Sequence, residues 1–357
     1  MRVIFYIFAD KLLNQMKQFL PEWVACEGVL LALPHEDTDW NYILSEALDQ
    51  YKRLVETIAK EGIRIFLLCQ DVKKAEILFD AAIIKQITFI ETEYNDTWTR
   101  DYGPLTILKN GDLRILDFGF NGWGLKFAAD LDNQVNRSLN EKSVFTKGLY
   151  RNETAFILEG GSIDTDGEGT ILTTTRCLCS PNRNGYLSKH EADEQLRKRL
   201  GADHVLFLDY GALMGDDTDS HIDTLARMAP ENIILYTGCR DIDDPQFEEL
   251  LKMRAQLSMF KNAEGNPYNL VELPLPYAIF DDNGERLPAT YANYLVMEKV
   301  LFMPVYGQPE KDELAMQTVK IAFPHHKVVG IDCSTLIKQH GSLHCATMQI
   351  PKGVISC

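Results

Sequence analysis

Five short polar clusters interrupt a chain of alternating strand and helix patterns at nearly regular steps. This spacing constrains the fold more than any single segment. The clusters cover residues 95–101, 159–162, 219–223, 290–294 and the segment that opens on Cys345. From Trp98 to Glu159, His221, Asn293 and Cys345 the steps are 61, 62, 72 and 52 residues. A period of this length points to repeated supersecondary units around a common centre.

The local patterns are those of an α/β chain. Residues 29–34 form an apolar run that reads as a buried strand. Ile43, Leu44, Ala47, Leu48, Tyr51, Leu54, Val55 and Ile58 recur at helical spacing within 39–60, and Gly62 ends that helix. Strands are expected at 63–68 and 87–90, with a helix at 72–79. Asn110-Gly111 marks a hairpin between 105–108 and 113–118. A second hairpin surrounds 166–169, with its return strand at 170–175. Helices follow near 188–200, 244–260 and 309–322, and strands near 204–208, 233–237, 295–303 and 327–331. Strands, helices and hairpins together predict a mixed sheet system rather than a plain parallel wound sheet. No linker of Gly, Ser or Pro divides the chain, so one domain over 1–357 is expected.

Composition excludes several classes. The net charge of −16 argues against a nucleic-acid or anionic-membrane surface and suits a cationic small substrate. No stretch reaches the ~18 apolar residues needed to span a membrane. Residues 1–10 lack the cleavage site of a signal peptide, and the eight cysteines read as reduced thiols in a cytoplasm. Cys26, Cys69, Cys239 and Cys333 read as structural, and Cys357 as a terminal residue. Cys177 and Cys179 stand too close for a zinc pair, and Gly341-Ser342 breaks the helix that would align His340 with His344. No phosphate-binding glycine motif is present. No metal and no cofactor are expected.

The clusters carry the chemistry. Cys345 is a candidate nucleophile, against a buried structural thiol as the plainer alternative. His221 lies between Asp219 and Asp223. In a strand these three share a face, so a carboxylate would stand beside the imidazole and favour a general acid–base role. Trp98 and Asp101 offer a π face and a charge to a planar cation. Glu159 precedes two glycines that permit close backbone approach. One thiol, one histidine and three carboxylates exceed what a papain-like protease needs. They suit attack on a guanidinium carbon, whose charge offsets the burial of the carboxylates.

Several motifs resemble those of the agmatine deiminases, within the guanidino-group-modifying (pentein) superfamily. They are 95–104 (NDTWTRDYGP), 120–124 (FNGWG), 159–163 (EGGSI), 166–170 (DGEGT), 181–184 (PNRN), 218–223 (TDSHID), 291–294 (YANY), 329–332 (VGID) and 341–345 (GSLHC), in family order. The resemblance implies an α/β-propeller of five ββαβ-like units with pseudo-fivefold symmetry around a central site. It also implies hydrolysis of agmatine to N-carbamoylputrescine and ammonia, with no cofactor or metal. By the same resemblance Cys345 attacks the guanidinium carbon and His221 protonates the leaving ammonia, then activates water. Asp101 and Asp223 clamp guanidinium nitrogens, and Glu159 pairs with His221 or the guanidinium. Trp98 and Trp123 belong to the substrate pocket, with Asn293 as pocket structure. The chain departs from the family pattern at Ser342, at Ser220 (usually Gly) and at Asp164 (usually His). Free or peptidyl arginine as substrate, and a non-catalytic guanidine-binding protein, remain alternatives. Homo-oligomerisation is left open.

Overall fold

The computed structural model describes residues 17–356. Residues 1–10 and Cys357, read above from sequence, lie outside this range. Seventeen strands are described. They are β1 (Lys17–Phe19), β2 (Cys26–Ala32), β3 (Arg64–Cys69), β4 (Ile87–Glu91), β5 (Leu105–Lys109), β6 (Asp112–Gly119), β7 (Tyr150–Ile157), β8 (Ile163–Thr165) and β9 (Thr170–Thr174). There follow β10 (His204–Leu208), β11 (Ala226–Ala229), β12 (Ile233–Gly238), β13 (Asn269–Pro274), β14 (Leu295–Val296), β15 (Val300–Val305), β16 (Lys327–Asp332) and β17 (Met348–Pro351).

These strands form five small sheets with one shared plan. In each, a middle strand pairs antiparallel on one side and parallel on the other. The middle strands are β2 between β17 and β3, β6 between β5 and β7, and β9 between β8 and β10. The pattern continues with β12 between β11 and β13, and β15 between β14 and β16. A parallel neighbour requires a crossover, and a helix supplies it in every unit. These helices are α1 (Leu44–Lys60), α2 (Val135–Glu141), α3 (Lys189–Leu200), α4 (Phe247–Leu257) and α5 (Pro309–Val319). The unit is therefore ββαβ, repeated five times. The first unit is completed by β17, which follows all the other strands in sequence and pairs antiparallel with β2.

The apolar pattern places the core where these layers meet. Helix α1 buries Ala47, Tyr51, Leu54, Val55 and Ile58 without residual exposure. Each large side chain among these contributes about 1.5–3 kcal/mol when fully buried. The strands against it are Val29–Ala32 and Ile65–Leu68, buried on both faces as a continuous apolar run requires. Asn110 (φ 58°) and Gly111 (φ 84°) make the left-handed turn that the Asn-Gly pair anticipates. Ser188 and Glu191 close a capping box on α3.

Some expectations are corrected. Residues 219–223 are not a strand. Asp219 and Ser220 are left-handed, both at φ 66°, and a 3-10 turn follows over Ile222–Thr224. The run 295–303 splits into β14 and β15, because a turn at 297–299 reverses the chain into an antiparallel pair. The helix expected over 72–79 stops at Glu76. Strands β1, β7 and β13 pair with partners far off in sequence, and β11, which pairs with the adjacent β12, is only four residues long; none was expected. Cys26 and Cys239 are half-buried rather than enclosed.

The five polar clusters occupy one structural position. Each immediately precedes the first strand of a ββαβ unit: β5, β8, β11, β14 and β17. Replacing Ser188 with Ala removes the cap of α3 and is expected to cost about 1 kcal/mol. Urea denaturation of S188A against the parent measures it.

Candidate active site

The clusters contact one another in a closed circuit. The Arg100 N–H donates to the Cys345 carbonyl at 3.1 Å, and the Gly161 N–H donates to Asp101 Oδ1 at 2.9 Å. Glu159 Oε2 lies 3.8 Å from His221 Nε2. Asn293 Nδ2 donates to the Asp223 carbonyl at 3.4 Å. The His344 N–H then donates to Asn293, to its carbonyl at 3.1 Å and to Oδ1 at 2.9 Å, which returns the circuit to Cys345.

Cys345 is buried. Its Sγ lies 3.4 Å from Asn293 Oδ1 and 3.8 Å from Asp223 Oδ2. Asn293 Oδ1 also accepts from the Cys345 N–H at 3.2 Å, so it holds the nucleophile's backbone and thiol together. This places Asn293 directly against the candidate nucleophile. Burial pushes the Cys345 thiol well above its ordinary range, and the charges of Asp223 and Asp101 push it further.

His221 is fully buried, with Nδ1 3.5 Å from Asp101 Oδ1. Burial opposes its charge, but Asp101, Cys177 and Glu159 outweigh it and raise the imidazole well above its usual value. Among the described residues, neither ring nitrogen of His221 nor Asp223 Oδ1 has a hydrogen-bond partner. Buried polar atoms left unpaired are costly. His221 Nδ1 and the Asp223 carboxylate stand together at Gly161, and Asp223 Oδ2 lies 3.8 Å from Cys345 Sγ.

Each carboxylate is held differently. Asp101 accepts from the Gly161 N–H and, through Oδ2, from Trp123 Nε1 at 2.8 Å. Burial raises its carboxyl, and His221 opposes that rise. Asp223 Oδ2 faces His344 Nδ1 at 2.7 Å, and its carboxyl is lowered despite burial, chiefly by that bond. Glu159 accepts from Arg183 Nε through both oxygens, at 2.9 and 2.8 Å. Against its burial, His221 and Arg183 hold it at about 2.

Trp123 reaches Asp101 from an unusual turn. Gly122, Trp123, Gly124 and Leu125 are all left-handed, at φ 67°, 55°, 85° and 69°. A non-glycine residue there costs about 1–2 kcal/mol. Asn121 caps the turn by accepting from the Gly124 N–H at 3.0 Å. Trp98 and Trp123 both line a narrow pocket that reaches Asp101 and Cys345. Asp39, Asp96, Asp217 and His340 also line it, and no arginine or lysine does.

Sequence reasoning missed the supports of this site. Arg183 stood in a quoted motif without a role, yet it also donates to Asp219 at 2.6 Å and to the Thr218 carbonyl at 2.9 Å. Cys177 Sγ lies 3.6 Å from Glu159 Oε2. Glu159, Cys177 and His221 have donor atoms within 4.8 Å of one another, a set that resembles a metal site. The Arg183 guanidinium already occupies both Glu159 oxygens, which opposes a second cation there. The departures from the family pattern also find places. Asp164 bonds Arg227 at 2.8 Å, Ser342 bonds Tyr306 at 2.9 Å, and Ser220 takes the left-handed conformation that a glycine adopts without strain.

The model of the Porphyromonas-type peptidyl-arginine deiminase family matches residues 18–351. The chain belongs to this family. A Marinomonas protein named "Putative agmatine deiminase" is 31% identical over 344 residues, covering 91% of this chain and 92% of that protein. A solved structure from Porphyromonas gingivalis, named "Putative Arginine Deiminase", is 43% identical with a TM-score of 0.90, over 95% of this chain and 100% of that one. An agmatine deiminase from C. jejuni, solved with substrate bound, is 39% identical with a TM-score of 0.88, over 95% and 97%. Among the described residues, no helix is long and apolar enough to cross a membrane.

Gly161 packs directly against three groups of the site. A Cβ there would lie 2.7 Å from Asp101 Oδ1, 2.8 Å from His221 Nδ1 and 2.9 Å from Asp223 Oδ2. Displacing these groups by part of an ångström is expected to lower turnover of a guanidine substrate about 100-fold. Steady-state kinetics of G161A, with circular dichroism as the folding control, measures the loss.

Proposed function

We propose that this protein hydrolyses agmatine to N-carbamoylputrescine and ammonia through a covalent Cys345 thiouronium. The observation that carries the reading is the convergence of Cys345, His221, Asp101 and Asp223 on one buried point. In this mechanism the guanidinium lies between Asp101 and Asp223, and its positive charge offsets their burial. The same charge favours the Cys345 thiolate, so the substrate activates its own nucleophile. Sγ attacks the guanidinium carbon. His221 gives a proton to the departing ammonia, then takes one from the water that releases the product. Glu159, backed by Arg183, stabilises the imidazolium. Trp98 and Trp123 wall the alkyl chain.

The far end of the pocket favours agmatine. Agmatine carries a second cation, a primary ammonium, where free arginine carries an α-carboxylate. Asp39, Asp96 and Asp217 line the pocket. Burial lifts Asp96 to about 7 and Asp217 to about 6, and a nearby ammonium would return both to the ionised form. Peptidyl arginine is the second reading, favoured by the family's description and by a 43% identical solved structure named "putative peptidyl-arginine deiminase". The shared sheet plan and the circuit of contacts support five units arranged as a propeller with pseudo-fivefold symmetry, acting as one catalytic domain. A cytoplasmic location is part of the same reading.

Ammonia release from agmatine, arginine and an arginine peptide, measured side by side, decides the substrate. Agmatine is expected to exceed both, and C345A to release none. Turnover of arginine or the peptide at or above that of agmatine would overturn the assignment.

The raised Cys345 thiol predicts a pH signature. Alkylation by neutral iodoacetamide is expected to be slow at pH 7 and still climbing, about tenfold per unit, above the ordinary thiol value of ~8.5. A rate that levels off by pH 8 would mean that Cys345 ionises without substrate.

A further inference from the structure

A chain of buried charges runs from Asp223 away from the pocket to the N-terminal segment before β2. His344 Nδ1 faces Asp223 Oδ2 at 2.7 Å, and its Nε2 faces Glu22 Oε1 at 2.6 Å. An ionised carboxylate only accepts hydrogen bonds. The ring between two carboxylates therefore bonds both when each nitrogen carries a proton. Glu22 is in turn surrounded by donors. Arg100 Nη1 lies at 3.2 Å, Arg227 Nη2 at 2.5 Å and Gln349 Nε2 at 2.8 Å. Arg227 and then His344 and Arg100 hold the Glu22 carboxyl well below its ordinary value, against its burial.

The consequence falls on Asp223. Its Oδ2 is taken by His344, and its Oδ1 is the atom left without a partner in the buried site. The oxygen bonded to His344 is also the one nearest Cys345 Sγ, at 3.8 Å. We propose that Glu22 and His344 are positioning residues for the guanidinium clamp: the Glu22–His344 pair fixes the Asp223 carboxylate beside Cys345, in the orientation that receives the substrate cation. Neither residue touches the pocket. Glu22 acts through His344, and His344 acts through Asp223. The groups facing His344 are Asp223, Glu22, the Arg100 Nε that donates to its carbonyl at 3.4 Å, and Cys345 next in the chain. This inference deepens the proposed deiminase reading and rests on it.

The test uses full-length protein and the alkylation of Cys345, which requires no turnover. The ratio of rates for cationic 2-chloroacetamidine and neutral iodoacetamide measures how well the clamp receives a cation. Three variants divide the chain. E22Q keeps the shape and removes the charge. H344Q keeps a donor near the Nε2 position and loses the one facing Asp223. H344N keeps a donor near the Nδ1 position and loses the one facing Glu22. H344Q and E22Q are expected to lower the cationic preference about 10- to 100-fold. H344N is expected to lose less than H344Q, an order that mere loss of packing would not produce. If E22Q does not fold, the two His344 variants still decide, because Glu22 keeps Arg100, Arg227 and Gln349 in both. An unchanged preference in folded H344Q, or a loss in H344N as large as in H344Q, would overturn the proposal. The wild-type ammonia assay tests the deiminase reading separately, so the two failures are distinguishable.

Discussion

Negative charge buried around a thiol is the constraint on which this structure depends. Asp101, Asp223 and Glu159 are all nearly inaccessible, and all approach Cys345 or His221. An uncompensated buried carboxylate costs several kcal/mol. The protein compensates two of them internally: Arg183 covers Glu159, and His344 covers one oxygen of Asp223. The third, Asp101, faces the His221 imidazole at 3.5 Å, and Asp223 Oδ1 has no partner among the described residues. That imbalance is what a positively charged substrate would relieve, and it ties binding to activation of the thiol.

The fold meets this demand by repetition. Each ββαβ unit delivers one loop, just before its antiparallel first strand, to the same circuit of contacts. A loop in that position is free of the ladder bonds that a strand would impose. It therefore accepts left-handed residues such as Asp219 and Ser220 and the turn at 122–125 that aims Trp123. Backbone bonds between clusters, such as Arg100 N–H to the Cys345 carbonyl, lock the loops to one another. The strain at these loops is offset by the rigid sheets behind them. Pairing of β17 with β2 matters for the same reason, because it fixes the segment that ends in Cys345 to the start of the described chain.

Much of the fold was legible. Helix α1, the two hairpins and the strands at 204–208, 233–237 and 327–331 follow from local periodicity and turn residues, which act within a few positions. Strands β1, β7 and β13 were not legible, because their stability comes from partners distant in sequence, and β11 was too short, at four residues, to show a pattern. The motifs around Trp98, Glu159, His221 and Cys345 announced themselves as polar interruptions of apolar runs. Their supports did not. Arg183 and Glu22 are ordinary residues in sequence and acquire meaning only from what stands opposite them, whereas Gly161 was legible as a glycine of close approach but not for which groups it meets. His344 was weighed only as half of an unlikely histidine pair.

The sequence by itself determined the alternation of strands and helices, the interval at which polar clusters recur and the residue types brought to the site. These depend on patterns the chain carries locally. Only the tertiary structure decided how the clusters face one another. It showed that His221 and Asp223 meet at Gly161 rather than along a strand, and that Asn293 holds both the backbone and the thiol of Cys345. It also tied Asp223 to Glu22 through His344. Such contacts join residues dozens to hundreds of positions apart, and their strength depends on burial and direction, which exist only once the chain has closed on itself.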